Sequence, residues 1–251
     1  MKSVFTIITC TYNAEHTIER TLKSVAAQTY SNIEHIIIDG ASTDSTLNII
    51  RNSQFVILNS QLISEADSGL YDAMNKGLAH ATGNYVWFLN AGDVFHENTT
   101  IEKIVEQINR QLPDIIYGET NIVDDNGNFI AHRRLKAPKR LRWQSFAMGM
   151  MVSHQSFVVK RELSPLYDLR YRYSADFDWC IRCLKAAKII LNTHLILSDY
   201  LSEGMTTANR KASLKERFSI MSRYYGYLPT VLRHGWFAVR FYSVKLLRRQ
   251  L

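Results

Sequence analysis

Apolar and polar positions along the first 112 residues form blocks, and the spacing of the apolar positions changes from one block to the next. Continuous apolar runs rich in β-branched residues predict buried strands, whereas apolar positions three and four residues apart predict helices. The predicted strands are residues 4–10, 33–38, 55–58 and 85–89, and the predicted helices are residues 15–27, 43–51, 70–81 and 100–111. This alternation predicts an α/β fold with a mostly parallel, Rossmann-like central sheet and helices on both faces.

The pattern changes after Pro113, where two apolar segments flank the turn-forming residues 124–127 and predict a β-hairpin. The predicted elements of this part are strands at residues 114–123, 128–134 and 156–160 and a helix at residues 176–187. There is no internal repeat and no low-complexity linker. The sequence therefore predicts one domain over residues 1–205, with halves that meet at about residue 112, followed by a helical basic tail over residues 206–251.

Positive charge is concentrated at the end of the chain. Residues 210–251 contain ten Lys and Arg and one acid, Glu216, for a net charge of +9, and the total of +7 leaves −2 for the preceding residues. A near-neutral body argues against a nucleic-acid-binding protein. The tail carries Trp236 but no apolar run of about 20 residues that would span a bilayer. It predicts an interfacial helix on an anionic membrane, with a solvated tail or an oligomer contact as the alternative.

The three cysteines, Cys10, Cys180 and Cys183, are too few for a disulfide framework and favour a reducing, cytoplasmic setting. Cys180 and Cys183 have C-x-x-C spacing within a predicted helix. Because they lack the further ligands of a zinc site, they are expected to be ordinary thiols. The N-terminus lacks the cleavage pattern of a signal peptide. We therefore expect a cytoplasmic protein, located at the inner face of the cell membrane if the tail binds lipid.

Polar residues follow the predicted strands of the first half. Residues 11–13 follow the first strand, Asp39 follows the second, Asp67 comes after the third, and residues 90–93 follow the fourth. The carboxyl ends of parallel strands meet at one edge of the sheet, where open α/β sheets bind their ligands. Both common glycine-rich phosphate loops, G-x-G-x-x-G and G-x-x-x-x-G-K-[ST], are absent. The sequence therefore favours a carboxylate-held metal as the device that binds phosphate.

These segments resemble the inverting family 2 glycosyltransferases with the GT-A fold, over residues 4–205. The resemblance rests on TYN at 11–13, DGASTDST at 39–46, SEADSGLYDAMNKG at 64–77, ATGNYVWFLNAGD at 81–93 and YSADFDW at 173–179. It implies a metal-assisted single displacement that moves a sugar from a nucleotide-sugar donor, with a UDP-sugar favoured, to a glycan or lipid-linked glycan hydroxyl. It also implies Mg²⁺ or Mn²⁺ as the cofactor and a role in bacterial surface polysaccharide synthesis.

The resemblance implies roles for residues at the strand ends. Donor-binding roles fall on Thr11, Tyr12, Asn13, Asp39, Asp67 and Asn90. Within that set, Asp39 would accept from a nucleobase N–H and Asp67 would hold the base or the ribose. Residues 90–93 stand where the family has its metal-binding D-x-D element, but Asn90 and Gly92 replace two usual carboxylates, which leaves Asp93 as the metal ligand. Mg²⁺ tolerates one protein carboxylate when phosphates and waters complete its octahedron.

Asp176 matches the general base of the family. A carboxylate in hydrogen-bonding distance of the acceptor hydroxyl can take its proton as the new bond forms. Asp178 is the rival, although in a helix it would point about 200° away from Asp176. Both residues could instead be carboxylates that a helix N-terminus favours.

Further residues have two open interpretations each. Lys76 could contact the donor diphosphate or form a surface pair with Asp72. His154 could touch the diphosphate or the acceptor, or be a structural histidine. Trp143 and Trp179 could stack on sugars or belong to the core.

Two other functions remain as alternatives. Gly92 leaves room for a non-catalytic or degenerate nucleotide-sugar-binding protein, because the metal element has one carboxylate. A nucleotidyltransferase would share the parallel sheet and an acidic metal site. It would normally carry a glycine-rich basic loop near the first strand, and TCTYNAEHT at residues 9–17 lacks that loop.

Overall fold

A computed structural model describes residues 3–108, 112–202 and 209–247. Its strands join into one sheet of nine strands over these residues. The strands are β1 Phe5–Thr11, β2 Ile33–Asp39, β3 Ser60–Ser64, β4 Tyr85–Phe88, β5 Val94–Phe95, β6 Ile115–Val123, β7 Phe129–His132, β8 Phe157–Lys160 and β9 Ile190–Leu201. The helices are α1 Ile18–Ala26, α2 Thr46–Asn52, α3 Leu70–His80, α4 Thr100–Gln107, α5 Ala175–Ala186, α6 Arg210–Tyr225 and α7 Tyr227–Leu247, with short 3₁₀ helices at Trp143–Met148, His154–Ser156 and Arg161–Leu163.

The sheet has the strand order β3-β2-β1-β4-β8-β6-β9-β5, with β7 paired to β6. The first four of these strands are mutually parallel. β8 runs antiparallel to both β4 and β6, and β9 runs parallel to β6. The structure thus confirms the predicted mostly parallel α/β sheet, with antiparallel strands added in the second half.

Helices cover the sheet on both faces, as β4 shows. Val86 and Phe88 point into one core cluster together with Met74 of α3. Tyr85 and Trp87 point into a second cluster, on the other face. All four β4 residues have 0% exposure. A strand buried on both faces has to be apolar at every position, which is why the run at residues 85–89 was readable as a strand.

The third predicted strand, residues 55–58, was wrong. The strand lies at Ser60–Ser64 and pairs with one edge of β2, and none of its residues is fully buried. Phe55 instead packs beside α1 and α2, and Leu58 is fully exposed. An edge strand needs only one apolar face, so this strand contains Ser and Gln and lacks the continuous apolar run that predicts a buried strand.

The hairpin of β6 and β7 is confirmed, and its turn is closed by a hydrogen bond from the Gly127 N–H to the Asp124 carbonyl. The long strand β9 was not predicted. Its pairing with β6 shifts register near Gly118, and His194 has a φ of +56°. Such a bulge breaks the side-chain alternation that marks a strand in a sequence.

The predicted helical tail is present as α6 and α7, and α6 packs against α5. In α6, Leu214 is exposed, whereas Ser213, Ile220 and Met221 are buried. No helix of the described residues is long and apolar enough to cross a membrane. The predicted domain boundary at residue 205, helix residues 109–111, and Arg248 and Arg249 lie outside the described residues.

Candidate active site

A cavity of about 1090 Å³ opens at the edge of the sheet where β1 and β4 end. Cavities near this size bind small ligands and cofactors. Seven of the residues predicted to bind donor, metal or acceptor line it: Thr11, Tyr12, Asp67, Asn90, Asp93, His154 and Asp176. The structure therefore brings side chains from both predicted halves of the chain around one space.

The turn after β4 is held against α1. The Thr21 hydroxyl donates to the Asp93 carbonyl at 2.8 Å and accepts from the Gly92 N–H at 2.9 Å. Gly92 has a φ of +96°, and a Cβ atom there would lie 2.5 Å from Leu201 Cδ1. The backbone conformation favours glycine at this position, and the end of the Leu201 side chain would have to move to admit a Cβ atom.

Asp93 is a buried carboxylate with little compensation. It is 6% exposed, and one of its oxygens accepts a hydrogen bond from Gln155 Nε2 at 3.1 Å. Burial raises the pKa of Asp93 to about 6, because the hydrogen bond from Gln155 offsets only part of the lost hydration. A cation beside Asp93 would therefore stabilise its ionised form.

Asn90 supplies a second oxygen beside this carboxylate. Its Oδ1 is buried and has no hydrogen-bond partner among the described residues. A buried oxygen without a donor is unusual in a folded protein, and this one is available to a ligand. Asp93 and Asn90 together offer the oxygen ligands that Mg²⁺ and Mn²⁺ prefer, so these residues fit a divalent cation. Within the described residues no group of three or more His, Cys, Asp and Glu converges as a metal site, so substrate phosphate and water would complete the coordination.

His154 joins the turn after β4 to the start of α5. Its Nδ1 lies 3.4 Å from Asp176 Oδ2, and its Nε2 lies 3.3 Å from Asn90 Nδ2. A carboxylate only accepts, so Nδ1 carries the proton toward Asp176, and Nε2 accepts from the Asn90 amide. One imidazole therefore separates the candidate metal ligands from the candidate base.

Asp176 lies in the first turn of α5 and is 9% exposed. Its Oδ1 accepts from the Tyr71 hydroxyl at 3.1 Å and from the Phe177 N–H at 2.8 Å. Burial alone would raise the pKa of Asp176, but the hydrogen bond from His154 and the charge of Arg217 together hold that pKa below its ordinary value. Asp176 is therefore ionised at neutral pH and able to accept a proton.

Asp178 occupies a different environment. It has 0% exposure, and its oxygens are bound by Arg182 Nε at 2.6 Å and by the Tyr224 hydroxyl at 2.8 Å. It does not line the cavity. The geometry thus favours Asp176 over Asp178 as a residue that reaches substrate.

The ends of β1, β2 and β3 form the other end of the cavity. Thr11 Oγ1 is buried without a hydrogen-bond partner among the described residues, whereas Tyr12 is 62% exposed. Asp67 accepts from the Gly69 N–H at 2.8 Å. Asp39 lies behind this surface with 0% exposure, and its carboxylate is bound by Ser42 and Ser64.

Besides Asp39, two further residues of the predicted donor site do not line the cavity. Asn13 uses its amide oxygen to accept from the Thr43 N–H at 2.9 Å. Lys76 Nζ lies 2.9 Å from Glu65 and 2.7 Å from the Ala66 carbonyl, so its surface ion pair is with Glu65 rather than with Asp72. Trp179 is a core residue, with 0% exposure and its ring stacked 5.0 Å from that of Tyr167.

Sequence reasoning missed several polar side chains of the cavity: Tyr71, Arg133, Gln155, Arg172 and Arg217. Gln155 and Tyr71 contact the predicted Asp93 and Asp176 directly. The arginines come from the residue after β7, the loop before α5 and the tail helix α6. No sequence signal separated them from the other arginines of these segments.

The fold and the cavity define an α/β enzyme whose site lies at the carboxyl edge of its sheet. TarS of S. aureus, residues 1–349 in complex with UDP, has a similar fold, with a TM-score of 0.69 and 18% identity over 87% of this chain and 64% of that chain. The mannosyltransferase PcManGT of Pyrobaculum calidifontis, in complex with GDP-Man and Mn²⁺, matches with a TM-score of 0.63 and 18% identity over 89% of this chain and 65% of that chain. The chain thus spans less than two thirds of either solved chain.

The chain belongs to glycosyl transferase family 2, whose sequence profile matches residues 6–164. It is 32% identical over 214 residues to a PGL/p-HBAD biosynthesis glycosyltransferase of Mycobacterium tuberculosis, covering 80% of this chain and 78% of the relative. It is 28% identical over 224 residues to the Escherichia coli UDP-Glc:alpha-D-GlcNAc-diphosphoundecaprenol beta-1,3-glucosyltransferase WfgD, covering 86% of this chain and 84% of the relative. The predicted family and the predicted glycosyltransferase class are therefore confirmed.

Proposed function

We propose that this glycosyltransferase moves a sugar from a nucleotide-sugar donor to a hydroxyl of a glycan or lipid-linked glycan, with inversion at the anomeric carbon. One observation carries the proposal. The Asn90–Asp93 turn and Asp176 line the same cavity and are separated by a single imidazole, that of His154. In such an arrangement the turn can bind the leaving diphosphate while Asp176 accepts the proton of the attacking hydroxyl.

The residues account for the proton and for the leaving group. The acceptor hydroxyl attacks the anomeric carbon and passes its proton to Asp176, while the bond from that carbon to the diphosphate breaks. Tyr71 and His154 fix the carboxylate by hydrogen bonds. The pKa of Tyr71 is raised well above its ordinary value by burial and by the charge of Asp176, so its hydroxyl stays a donor.

The donor would lie along the ends of β1 and β4. Asp93 and the Asn90 amide oxygen would hold a divalent cation, Mg²⁺ or Mn²⁺, which when bound offsets the negative charge that develops on the leaving diphosphate. Thr11, Tyr12 and Asp67 would contact the nucleoside, with Asp39 behind them. The similar TarS structures contain UDP and UDP-GlcNAc, and the Escherichia coli relative is named for UDP-Glc, so we favour a uridine nucleotide as the carrier.

The expected result is stabilisation by uridine nucleotide sugars. A ligand at a hundred times its dissociation constant stabilises a protein by about 2.7 kcal/mol. For a chain of this size that corresponds to a rise in the melting temperature of about 5–10 °C. Differential scanning fluorimetry with a nucleotide-sugar panel and Mn²⁺ measures this, and NMR of the product formed from the stabilising donor reports its anomeric configuration.

Uridine alone is the control, because it lacks the diphosphate. No stabilisation by any nucleotide sugar would reject the proposal, and a retained anomeric configuration would reject the single displacement. Stabilisation without transfer to any acceptor would favour the non-catalytic nucleotide-sugar binder.

We further propose that α7 holds the enzyme on an anionic membrane at the inner face of the cell membrane. Its inner face packs on α6 through contacts such as that of His234 with Phe218, whose rings lie 5.0 Å apart. Its outer face exposes a helical stripe of apolar side chains, namely Leu228, Val231, Leu232 and Trp236. Residues 210–251 carry a net charge of +9. An apolar stripe with excess positive charge matches a bilayer with anionic headgroups.

Replacing both Leu232 and Trp236 with Ser is expected to weaken partition onto anionic vesicles by at least about tenfold, because each apolar side chain buried in lipid contributes about 1.5–3 kcal/mol. Co-sedimentation with phosphatidylglycerol-containing vesicles measures this. The matched control replaces the exposed Leu58 and Leu166, which lie outside α7, with Ser. Unchanged vesicle binding would reject the membrane face, and a change in oligomeric state instead would make the stripe a protein contact.

A further inference from the structure

Helix α6 reaches the segment that carries the candidate base. The sequence predicted α6 as part of a tail outside the domain, and the matched family profile ends at residue 164, before both α5 and α6. In the structure α6 packs on α5, and its Arg217 lines the same cavity as Asp176. α6 is therefore a wall of the candidate active site as well as part of the tail.

The carboxylate of Glu216, on α6, holds two consecutive backbone groups. Its Oε1 accepts from the Arg172 N–H at 2.9 Å, and its Oε2 accepts from the Tyr173 N–H at 2.8 Å. Both N–H groups lie just before α5, which begins at Ala175. Hydrogen bonds to a carboxylate are stronger than those between neutral groups, and two parallel bonds also fix orientation. Glu216 thus fixes the direction of the backbone as it enters α5.

Ser213 extends this contact to the preceding turn of α6. Ser213 and Glu216 are three residues apart and therefore share a helix face. The Ser174 hydroxyl donates to the Ser213 carbonyl at 3.2 Å, and the two hydroxyl oxygens lie 2.9 Å apart. Both serines are buried. α6 therefore binds residues 172–174, immediately before the helix that carries Asp176.

Other elements fix the far end of the Asp176 side chain. Its carboxylate accepts from Tyr71 of α3 and lies beside His154. Those contacts hold the oxygens, whereas the backbone that places the side chain depends on the segment before α5. A base works only within hydrogen-bonding distance of the proton that it accepts. A displacement of about 1 Å in a reacting group can lower the rate by about a hundredfold.

We propose that Glu216 is a positioning residue for sugar transfer, because it fixes the backbone that presents Asp176 to the acceptor hydroxyl. The inference rests on the proposed function, in which Asp176 is the base, and it extends the active site into α6. Glu216 does not line the cavity, so it acts on the reaction through Asp176.

The test is a double-mutant cycle on the full chain that measures kcat and the dissociation constant of UDP in Mn²⁺. Glu216→Ala leaves the two N–H groups without their acceptor, so it is expected to lower kcat by about tenfold or more and to change UDP affinity by less than about twofold. In the Asp176→Asn background the same change is expected to lower kcat by less than about twofold, because the residue through which Glu216 acts is then absent.

Two further variants complete the comparison. Glu216→Gln keeps one carbonyl oxygen for one of the two N–H groups, so it is expected to retain more of kcat than Glu216→Ala. It also remains informative if Glu216→Ala fails to fold. Glu106→Ala is the matched control, because it removes an exposed glutamate of α4 outside the cavity, and it is expected to change neither kcat nor UDP affinity.

Hydrogen exchange of the backbone amides gives a measurement that needs no activity. The Arg172 and Tyr173 amides are expected to exchange faster in Glu216→Ala than in wild type, while the amides of the buried strand β4 keep their protection. Such a change would show that the loss is local to the segment before α5.

Three outcomes would overturn the inference. An active enzyme whose kcat is unchanged in the Glu216 variants does not need Glu216 for positioning. A loss of kcat that is equally large in the Asp176→Asn background, or exchange that becomes faster throughout the sheet, would make Glu216 a residue of general stability. Failure of the wild-type chain to transfer sugar would instead count against the proposed function, so the two failures are distinguishable.

Discussion

Asp176→Asn is expected to lower the rate of sugar transfer by about a thousandfold while the affinity for donor stays within about twofold of wild type. The amide has the size of the carboxylate and can still accept the hydrogen bond that Tyr71 donates at 3.1 Å. It cannot take a proton from the acceptor hydroxyl at neutral pH, so the attack loses its base. Steady-state kcat, measured with the stabilising donor from the nucleotide-sugar panel and an acceptor to which it is transferred, reports the first effect. The dissociation constant of UDP reports the second.

Asp178→Asn is the matched control. Asp178 is fully buried and binds Arg182 and Tyr224, so its replacement is expected to lower the melting temperature and to leave kcat of the folded enzyme close to wild type. The reverse pattern, with transfer lost in Asp178→Asn and retained in Asp176→Asn, would assign the base to Asp178.

The parts of the fold that could be predicted are those in which hydrophobicity alone decides the structure. β1, β2 and β4 are buried on both faces, so apolar residues occupy most of their positions, and their predicted ends were correct to within one residue. β3 and β9 failed for different physical reasons. β3 is an edge strand with one wet face, and β9 contains the bulge at His194, which interrupts its alternation.

The same distinction applies to the candidate site. Residues at strand ends, such as Asp67, Asn90 and Asp93, could be placed together because parallel strands deliver their carboxyl ends to one edge. Arg217 could not, because the packing of α6 on α5 decides which of its side chains enters the cavity. Within α6, Leu214 is exposed and Ser213 is buried, so side-chain hydrophobicity does not mark the face that packs.

Asp93→Asn is expected to remove the dependence of donor binding on divalent metal and, at the same time, to stabilise the metal-free chain. Asn90 would be left as the single protein ligand on this turn, and loss of a buried charge partner costs about 3 kcal/mol, so UDP affinity in Mn²⁺ should fall by about a hundredfold. Without metal, the wild-type carboxylate is a buried charge that the folded state tolerates poorly.

The sign of the stability effect follows from the raised pKa. Burial raises the pKa of Asp93 from 3.8 to about 6 in the folded chain, so its protonated form contributes stability below pH 3.8 that is lost as the pH rises through about 6. The amide carries no charge, so the free energy of unfolding of the variant should exceed that of wild type by about 1–3 kcal/mol above pH 6, and the excess should shrink as the pH falls towards 4.

Urea unfolding in the presence of a chelator, at several pH values, measures this difference. The Asp67→Asn variant is the control, because Asp67 is only partly buried and accepts from the Gly69 N–H, so it should show no such gain. Two results would contradict the assignment of Asp93 as a cation ligand whose buried charge destabilises the metal-free chain. One is a wild-type chain that binds UDP equally well with chelator and with Mn²⁺. The other is an Asp93→Asn variant that is less stable than wild type above pH 6.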